Sequence, residues 1–203
     1  VTLFHVLHHF GGLVLLLQFS HTIFADAGRV ISNDTASVAI ACTKLISATA
    51  ATFMVDKVGR KPLILLGGLL SFLSNLAIGG YFYAQEYMAL EVSSYSFIPV
   101  VAAAILLFAF NIGLVSIPVV LTGELFSPDV KAMSSCMIGV FGGVLGAISG
   151  KMYLIIVRSW GLGHTVPFLS FAIVALLSIS IILYLLPETK GKNLAEIQRI
   201  LAK

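Results

Sequence analysis

Asp56-Lys57-Val58-Gly59-Arg60-Lys61-Pro62 gathers charges of both signs into one short run, with apolar sequence pressed against both its ends. Ser37 to Val55 carries one charge, Lys44, and Leu63 to Ala84 carries none. Crossing some 30 Å of hydrocarbon takes about 20 mainly apolar residues, so each flank is long enough to span a bilayer. Two spans joined by so short a polar run must double back. The charged run is therefore a tight loop on one membrane face, with Gly59 supplying the backbone freedom for the turn.

The rest of the chain follows the same rule. Six segments reach membrane length, roughly Val1 to Phe24, Ala36 to Val55, Leu63 to Ala84, Phe97 to Gly123, Met133 to Val157 and Thr165 to Leu186. Buried helices of a water-soluble protein would carry a polar stripe every three to four residues. Leu63 to Ala84 offers only Ser71, Ser74 and Asn75 before its tyrosines. Charged residues make up 10% of the 203, against about a quarter in soluble domains, and mean hydropathy is +1.04. The expected fold is all-α: a polytopic membrane bundle of six helices over residues 1–186, followed by a tail over 187–203. In the tail, Leu194, Ile197, Ile200 and Leu201 recur at helical spacing among Glu196, Arg199 and Lys203. That pattern predicts an amphipathic helix at the membrane interface or against the bundle.

Composition also excludes classes of function. No basic face exists outside short loops, which argues against nucleic-acid binding. No nucleophile–base set stands out, so neither an enzyme nor a cofactor site is expected. Cys42 and Cys136 both lie inside apolar runs and read as small buried residues rather than a disulfide framework. His5, His8 and His9 share a helical face and could hold zinc. No carboxylate or thiol on that helix completes such a site, and no metal is expected. The chain opens on Val1 without a basic start or a small-residue cleavage site, and lacks an initiator Met, which reads as a piece of a longer protein.

Orientation follows from the 12 basic and 9 acidic residues. Lys57, Arg60 and Lys61 fall in the second loop, Lys131 in the fourth, and Lys190, Lys192, Arg199 and Lys203 in the tail, against Arg29 and Arg158 in the opposite loops. By the positive-inside rule the first group is cytoplasmic. Asn33-Asp34-Thr35, an N-glycosylation acceptor sequence, then lies in an outer loop, and Asn33 is the candidate acceptor.

The charged run resembles the acid-x-x-Gly-Arg-Arg/Lys loop between the second and third helices of a six-helix half in the sugar porters of the major facilitator superfamily. The fourth segment ends in Thr122-Gly123-Glu124-Leu125-Phe126-Ser127-Pro128, with Lys131 seven positions beyond Glu124, and Pro187-Glu188-Thr189-Lys190-Gly191 closes the last apolar run. These elements, in this order, are similar to the C-terminal half of that family. The Gly-Glu-Leu-Phe-Ser-Pro-Asp-Val-Lys run is most like the insect trehalose-transporter-like branch. The resemblance implies a gate of ion pairs at the cytoplasmic mouth, drawn from Asp56, Arg60, Lys61, Glu124, Lys131 and Glu188. Such pairs bias a carrier towards one state only if they break in the other.

Where the family binds its solute, this chain departs from it. The family's Gln-Gln-x-x-Gly-x-Asn becomes His8-His9-Phe10-Gly11-Gly12-Leu13-Val14, and Gln18 stands where the family often has Tyr. Lys44 takes the place of a pocket asparagine twelve residues before Asp56. At 1.5 Å per residue it lies about 18 Å from that acid, near the bilayer midplane. Of the family's Gly-Pro-x-Pro-Ile-Pro-Trp only Gly113 and Ile117-Pro118 survive, and Asn111 replaces a family acid. Pro118 can still break its helix and, with Gly59, serve as a hinge. Gly142 and Gly143 replace an Asn-Trp pair and are expected to let helices pack closely.

The resemblance thus implies alternating access between this half and an N-terminal half of the same chain, moving a sugar such as glucose or trehalose by facilitated or proton-coupled transport at the plasma membrane. His8, His9, Gln18, Lys44 and Asn111 are the candidate solute residues. Lost amides favour a second reading, a non-sugar solute, with Lys44 and the histidines suited to an anionic one. A third is a receptor-like member that no longer transports.

Overall fold

A computed structural model of the protein describes residues 9–27, 33–58, 60–115 and 128–185. Six α-helices fill these segments: α1 (Leu13–Ala27), α2 (Asn33–Val58), α3 (Arg60–Glu86), α4 (Phe97–Ala109), α5 (Pro128–Leu154) and α6 (Thr165–Leu185). Two of them loosen at one end into π-helix, α4 over Phe110–Val115 and α5 over Ile155–Ser159. His8, Gly59, Pro118, Glu124, Glu188 and the expected tail helix lie outside the described residues, as do the side chains of Asn33, Asp56, Arg60 and Lys131.

α3 is the centre of the bundle and packs on α6 and α4. Its inward face carries Leu63, Ile64, Gly67, Gly68, Ser71, Ser74, Asn75, Ile78 and Gly79, all buried, while Leu66, Leu69, Leu73 and Leu76 point outward. Small and polar residues inside with leucines outside is the pattern of a helix whose surroundings are apolar. Helices in lipid associate through close packing rather than by escape from water, and small residues let the backbones approach. Gly68 lies against Ile179 and Gly79 against Leu169, so one seam of glycines seats α6. The helices Lys61–Glu86, Phe97–Val115 and Ser135–Ser159 are long and apolar enough to cross a membrane, and 13–27, 38–54 and 165–177 are shorter apolar helices.

The structure corrects the sequence reading in four places. The charged run expected to form a loop is helical on both sides of Gly59, Asp56 to Val58 ending α2 and Arg60 to Pro62 opening α3. Asn33-Asp34-Thr35, expected in a loop, forms the first turn of α2, because the polar triplet can start a helix as readily as end a loop. The fourth span, expected to run as one helix from Phe97, changes to π-helix at Phe110. Cys42 and Cys136, expected to be buried, are free and exposed. Each shares its outward face with large apolar side chains, Leu45 and Ile46 on α2 and Met133, Met137 and Val140 on α5. A small soft side chain is as compatible with such a face as with a core.

Candidate functional site

The site begins with a break in backbone. His9 and Phe10 are helical, Gly11 and Gly12 are not, and α1 starts afresh at Leu13. Gly12 has φ +93, a region side chains rarely adopt. A Cβ there would also stand 2.6 Å from Asn75 Oδ1. The carbonyl of Gly11, which the break deprives of a helical partner, accepts a hydrogen bond from Asn75 Nδ2 at 3.1 Å, and the same amide donates to the Ser71 carbonyl at 2.9 Å. Irregular backbone survives in an apolar setting only when such groups find partners. Asn75, an unusual amide in a membrane-length segment, supplies one.

The break puts His9 over α5. A Cβ on Gly142 would stand 3.1 Å from His9 Nε2, one on Gly146 3.5 Å from the same imidazole, and one on Gly150 3.1 Å from Gln18 Oε1. The three glycines recur every four residues and so form one strip on α5, across which His9 and Gln18 lie. An open trough of about 610 Å³ runs beside it, lined by Val14, Leu17, Gln18, Gly146 and Ala147. The close-packing expectation for Gly142 and Gly143 is therefore half corrected. Gly142 is buried against His9, but Gly143 is exposed with nothing within 4 Å. The reason is the helical period: 143 points about 100° away from 142, whereas 146 and 150 return to its face.

A second polar pairing joins α2 to α4. Asn111 Nδ2 donates to Ser47 Oγ at 2.9 Å and to the Leu107 carbonyl at 3.0 Å. Asn111 sits in the π-helical turn, a geometry that recurs at functional positions. Ser47, fully buried, in turn donates to the Lys44 carbonyl at 3.0 Å, one helical turn back. The Lys44 side chain is exposed. The described site residues thus fall into two groups, His9 with Gln18 on the glycine strip and Asn111 with Ser47 beside Lys44. Of the charges expected at the gate, Lys61 alone has a described side chain, and it is half-buried at the start of α3.

A third cluster escaped the sequence reading. At the end of the bundle where α1 and α3 finish and α6 begins, His164 Nε2 meets Asp26 Oδ2 at 2.9 Å and His164 Nδ1 meets the Tyr153 hydroxyl at 2.8 Å. His164 is 3% exposed and Asp26 57%. Glu86 accepts from the backbone N–H groups of His164 (2.7 Å) and Thr165 (3.2 Å) and from the Thr165 hydroxyl (2.6 Å). This carboxylate caps the N-terminus of α6, where backbone donors and the helix dipole favour negative charge. Gly163, at φ +65, makes room for it, since a Cβ there would collide with the Glu86 carboxylate. In the sequence Asp26, Glu86 and His164 read as ordinary charges at the ends of apolar runs. Only the Gly161-Leu162-Gly163 spacing hinted at a shaped turn.

Comparison with known proteins gives a consistent picture. The sequence model of the family described as "Sugar (and other) transporter" matches residues 1–201. The chain is 24% identical over 188 residues to a facilitated trehalose transporter of Aedes aegypti, covering 93% of this chain and 23% of that protein. It is 26% identical over 187 residues to the Bombyx mori facilitated trehalose transporter, covering 92% and 36%. The chain therefore spans well under half the length of these relatives. Among solved structures, the proton:xylose symporter XylE, of the major facilitator superfamily, aligns over 98% of this chain and 42% of its own with TM-score 0.81 and 18% identity. A double-Trp XylE variant aligns with TM-score 0.77 and 21% identity. The fold is that of part of a major facilitator superfamily carrier.

Proposed function

Since the chain belongs to the sugar transporter family, whose members are multi-pass membrane proteins, we propose that it is the C-terminal half of a carrier that moves a sugar by alternating access, facilitated or coupled to protons. The relatives are trehalose transporters, and trehalose or glucose is the proposed solute. The observation that carries the proposal is the trough beside the glycine strip. There a broken helix lays the polar side chains of His9 and Gln18 across bare α5 backbone, and Gln18 lines the trough itself. Hydroxyls leaving water need such partners, because each one buried unpaired costs about 1–3 kcal/mol. His8, His9, Gln18, Lys44 and Asn111 form this half's share of the site. The N-terminal half of the same chain supplies the facing wall.

Exposed aromatic residues mark one membrane–water interface, and the clustered basic residues at the opposite end support the orientation. Tyr83, Tyr87, Tyr95, Phe97 and Trp160 stand exposed near the Asp26 end, as aromatic belts do at membrane–water interfaces. That end is the outer one, with Asn33 as a glycosylation acceptor on the same side. The inner mouth carries the gate charges Asp56, Arg60, Lys61, Glu124, Lys131 and Glu188, and Gly59 and Pro118 serve as hinges. The membrane is the plasma membrane.

Uptake of labelled trehalose and glucose by the full-length carrier in oocytes tests the reading. Saturable flux of either, weakened by Gln18→Leu, supports it. Absence of sugar flux from a carrier present at the cell surface defeats it. One observation favours a second reading. Lys44 is exposed on α2, where the facing half would have to neutralise it. Flux of an organic anion that disappears in Lys44→Ala would establish that alternative.

A further inference from the structure

α1 is bent at Phe19, whose backbone (φ −118, ψ 17) leaves the helical region inside an otherwise continuous helix. The bend immediately follows Gln18 in the trough. Beyond it, the outer segment of α1 is held at two points. Phe19 stacks on Tyr153 with ring centroids 4.8 Å apart, and Asp26 bonds His164. Those two anchors are themselves joined, because the Tyr153 hydroxyl meets the other nitrogen of the same imidazole. A single histidine therefore ties both ends of the bent segment to α5 and to the entry of α6.

The hydrogen bonds fix which nitrogen carries the proton. An ionised Asp26 can only accept, so Nε2 carries the hydrogen and donates to it, and neutral Nδ1 accepts from the Tyr153 O–H. In this state both ring nitrogens of His164 and the Tyr153 hydroxyl are paired. A proton arriving from the outer solution past the half-exposed Asp26 can settle only on Nδ1. Nδ1–H then donates to the Tyr153 oxygen, and the hydroxyl must turn its own hydrogen elsewhere. Among the described residues that hydroxyl makes no second hydrogen bond, Tyr153 is 2% exposed, and the apolar rings of Phe19 and Phe82 lie around this part of the cluster. A buried donor without an acceptor weakens the arrangement that stranded it.

We propose that Asp26, His164 and Tyr153 are positioning residues that hold the bent outer segment of α1, and Gln18 with it, in the solute-binding arrangement, and that proton uptake at His164 releases this hold. The inference rests on the sugar-carrier reading for its effect on solute affinity, though not for the release itself. The titratable and charged groups facing the imidazole are Asp26 from α1, Glu86 from α3 and Tyr153 from α5. Arg158 and Tyr81 stand further out in the same cluster. Glu86 stays engaged with the α6 backbone and so keeps His164 in place while its ring changes state.

The test is the solute KM of the full-length carrier measured from about pH 7.5 down to about pH 5.5. In the wild type KM rises about threefold or more on acidification while kcat changes less than about twofold, the split expected when binding rather than turnover is lost. His164→Gln cannot take up a proton, so it shows a flat KM over that range. A wild-type KM that does not move, or a His164→Gln profile parallel to the wild type, overturns the proposal. If the carrier transports no sugar at any pH, the sugar reading fails instead. The hold is then judged by hydrogen exchange of segment 19–27 in the purified full-length protein. After correction for intrinsic rates, its protection falls on acidification in the wild type and not in His164→Gln; unchanged wild-type protection overturns the proposal.

Discussion

Gly67 and Gly113 meet backbone to backbone. A Cβ on Gly67 would stand 2.7 Å from the Ala109 carbonyl oxygen, and one on Gly113 2.6 Å from that of Leu63. Neither obstacle is a side chain that can swing aside, so α3 and α4 touch where the π-helical turn begins. Gly113→Ala must therefore push two helices apart, at a cost of about 1–3 kcal/mol. The expected outcome is a lower melting temperature of the full-length carrier in detergent, and Asn111, two residues away, losing its bond to Ser47. A melting temperature equal to the wild type would contradict the packing described.

Asn75→Ala removes the donor that serves the Gly11 carbonyl and leaves that oxygen unpaired in an apolar interior. The cost is about 1–3 kcal/mol. Because the break in α1 positions His9, solute affinity falls along with stability. Asn75→Ser, too short to span the same gap, does not restore either. Thermal stability and KM measured together on both variants check this, and wild-type values in Asn75→Ala would refute it.

Gly146→Leu fills the trough without touching backbone. The nearest atoms to its Cβ position belong to the His9 ring, at 3.5 Å, and the trough beside it is open. The variant is expected to reach the cell surface at wild-type levels and to lose most sugar uptake, with KM raised about tenfold for each 1.4 kcal/mol of lost binding. Gly143→Leu, on the open face of the same helix, is expected to transport normally. Equal uptake by the two would remove the trough from the solute path.

Glu124→Gln removes one charge from the proposed inner-face network. If pairs there favour the outward-facing state, the variant shifts the full-length carrier towards inward-facing. Thiol labelling from the two sides reads the shift, once the exposed native Cys42 and Cys136 have been replaced. Labelling identical to the wild type on both sides would count against a gate at this position.

Much of the fold is legible in the sequence because the bilayer imposes a coarse and forgiving code. Uninterrupted apolar length marks a span, and charge clustered between two spans marks where one helix ends and the next begins, as around Asp56 to Lys61. The finer features are not coded by length. The glycine strip was readable at Gly142 but misassigned at Gly143, because a pair adjacent in sequence never shares a helical face. Asn75 was visible as an odd amide, yet its partner Gly11 lies 64 residues away. The Asp26–His164 pair is separated by 138 residues, and each member alone resembles a routine loop charge. The bend at Phe19 left no trace in composition, and the ring it stacks on, Tyr153, belongs to another helix.

The seam between α3 and α6 has a consequence for how the protein is made. The sixth helix leaves the ribosome well after the third, which carries its seat: Gly79 and Gly68 receive Leu169 and Ile179, and Glu86 accepts from the amides of His164 and Thr165. A nascent chain halted before Gly163 would present that groove and an unsatisfied carboxylate to lipid and to the insertion machinery. A stop codon anywhere upstream of α6 thus costs more than one span, because it also leaves the polar and glycine-lined side of α3 uncovered.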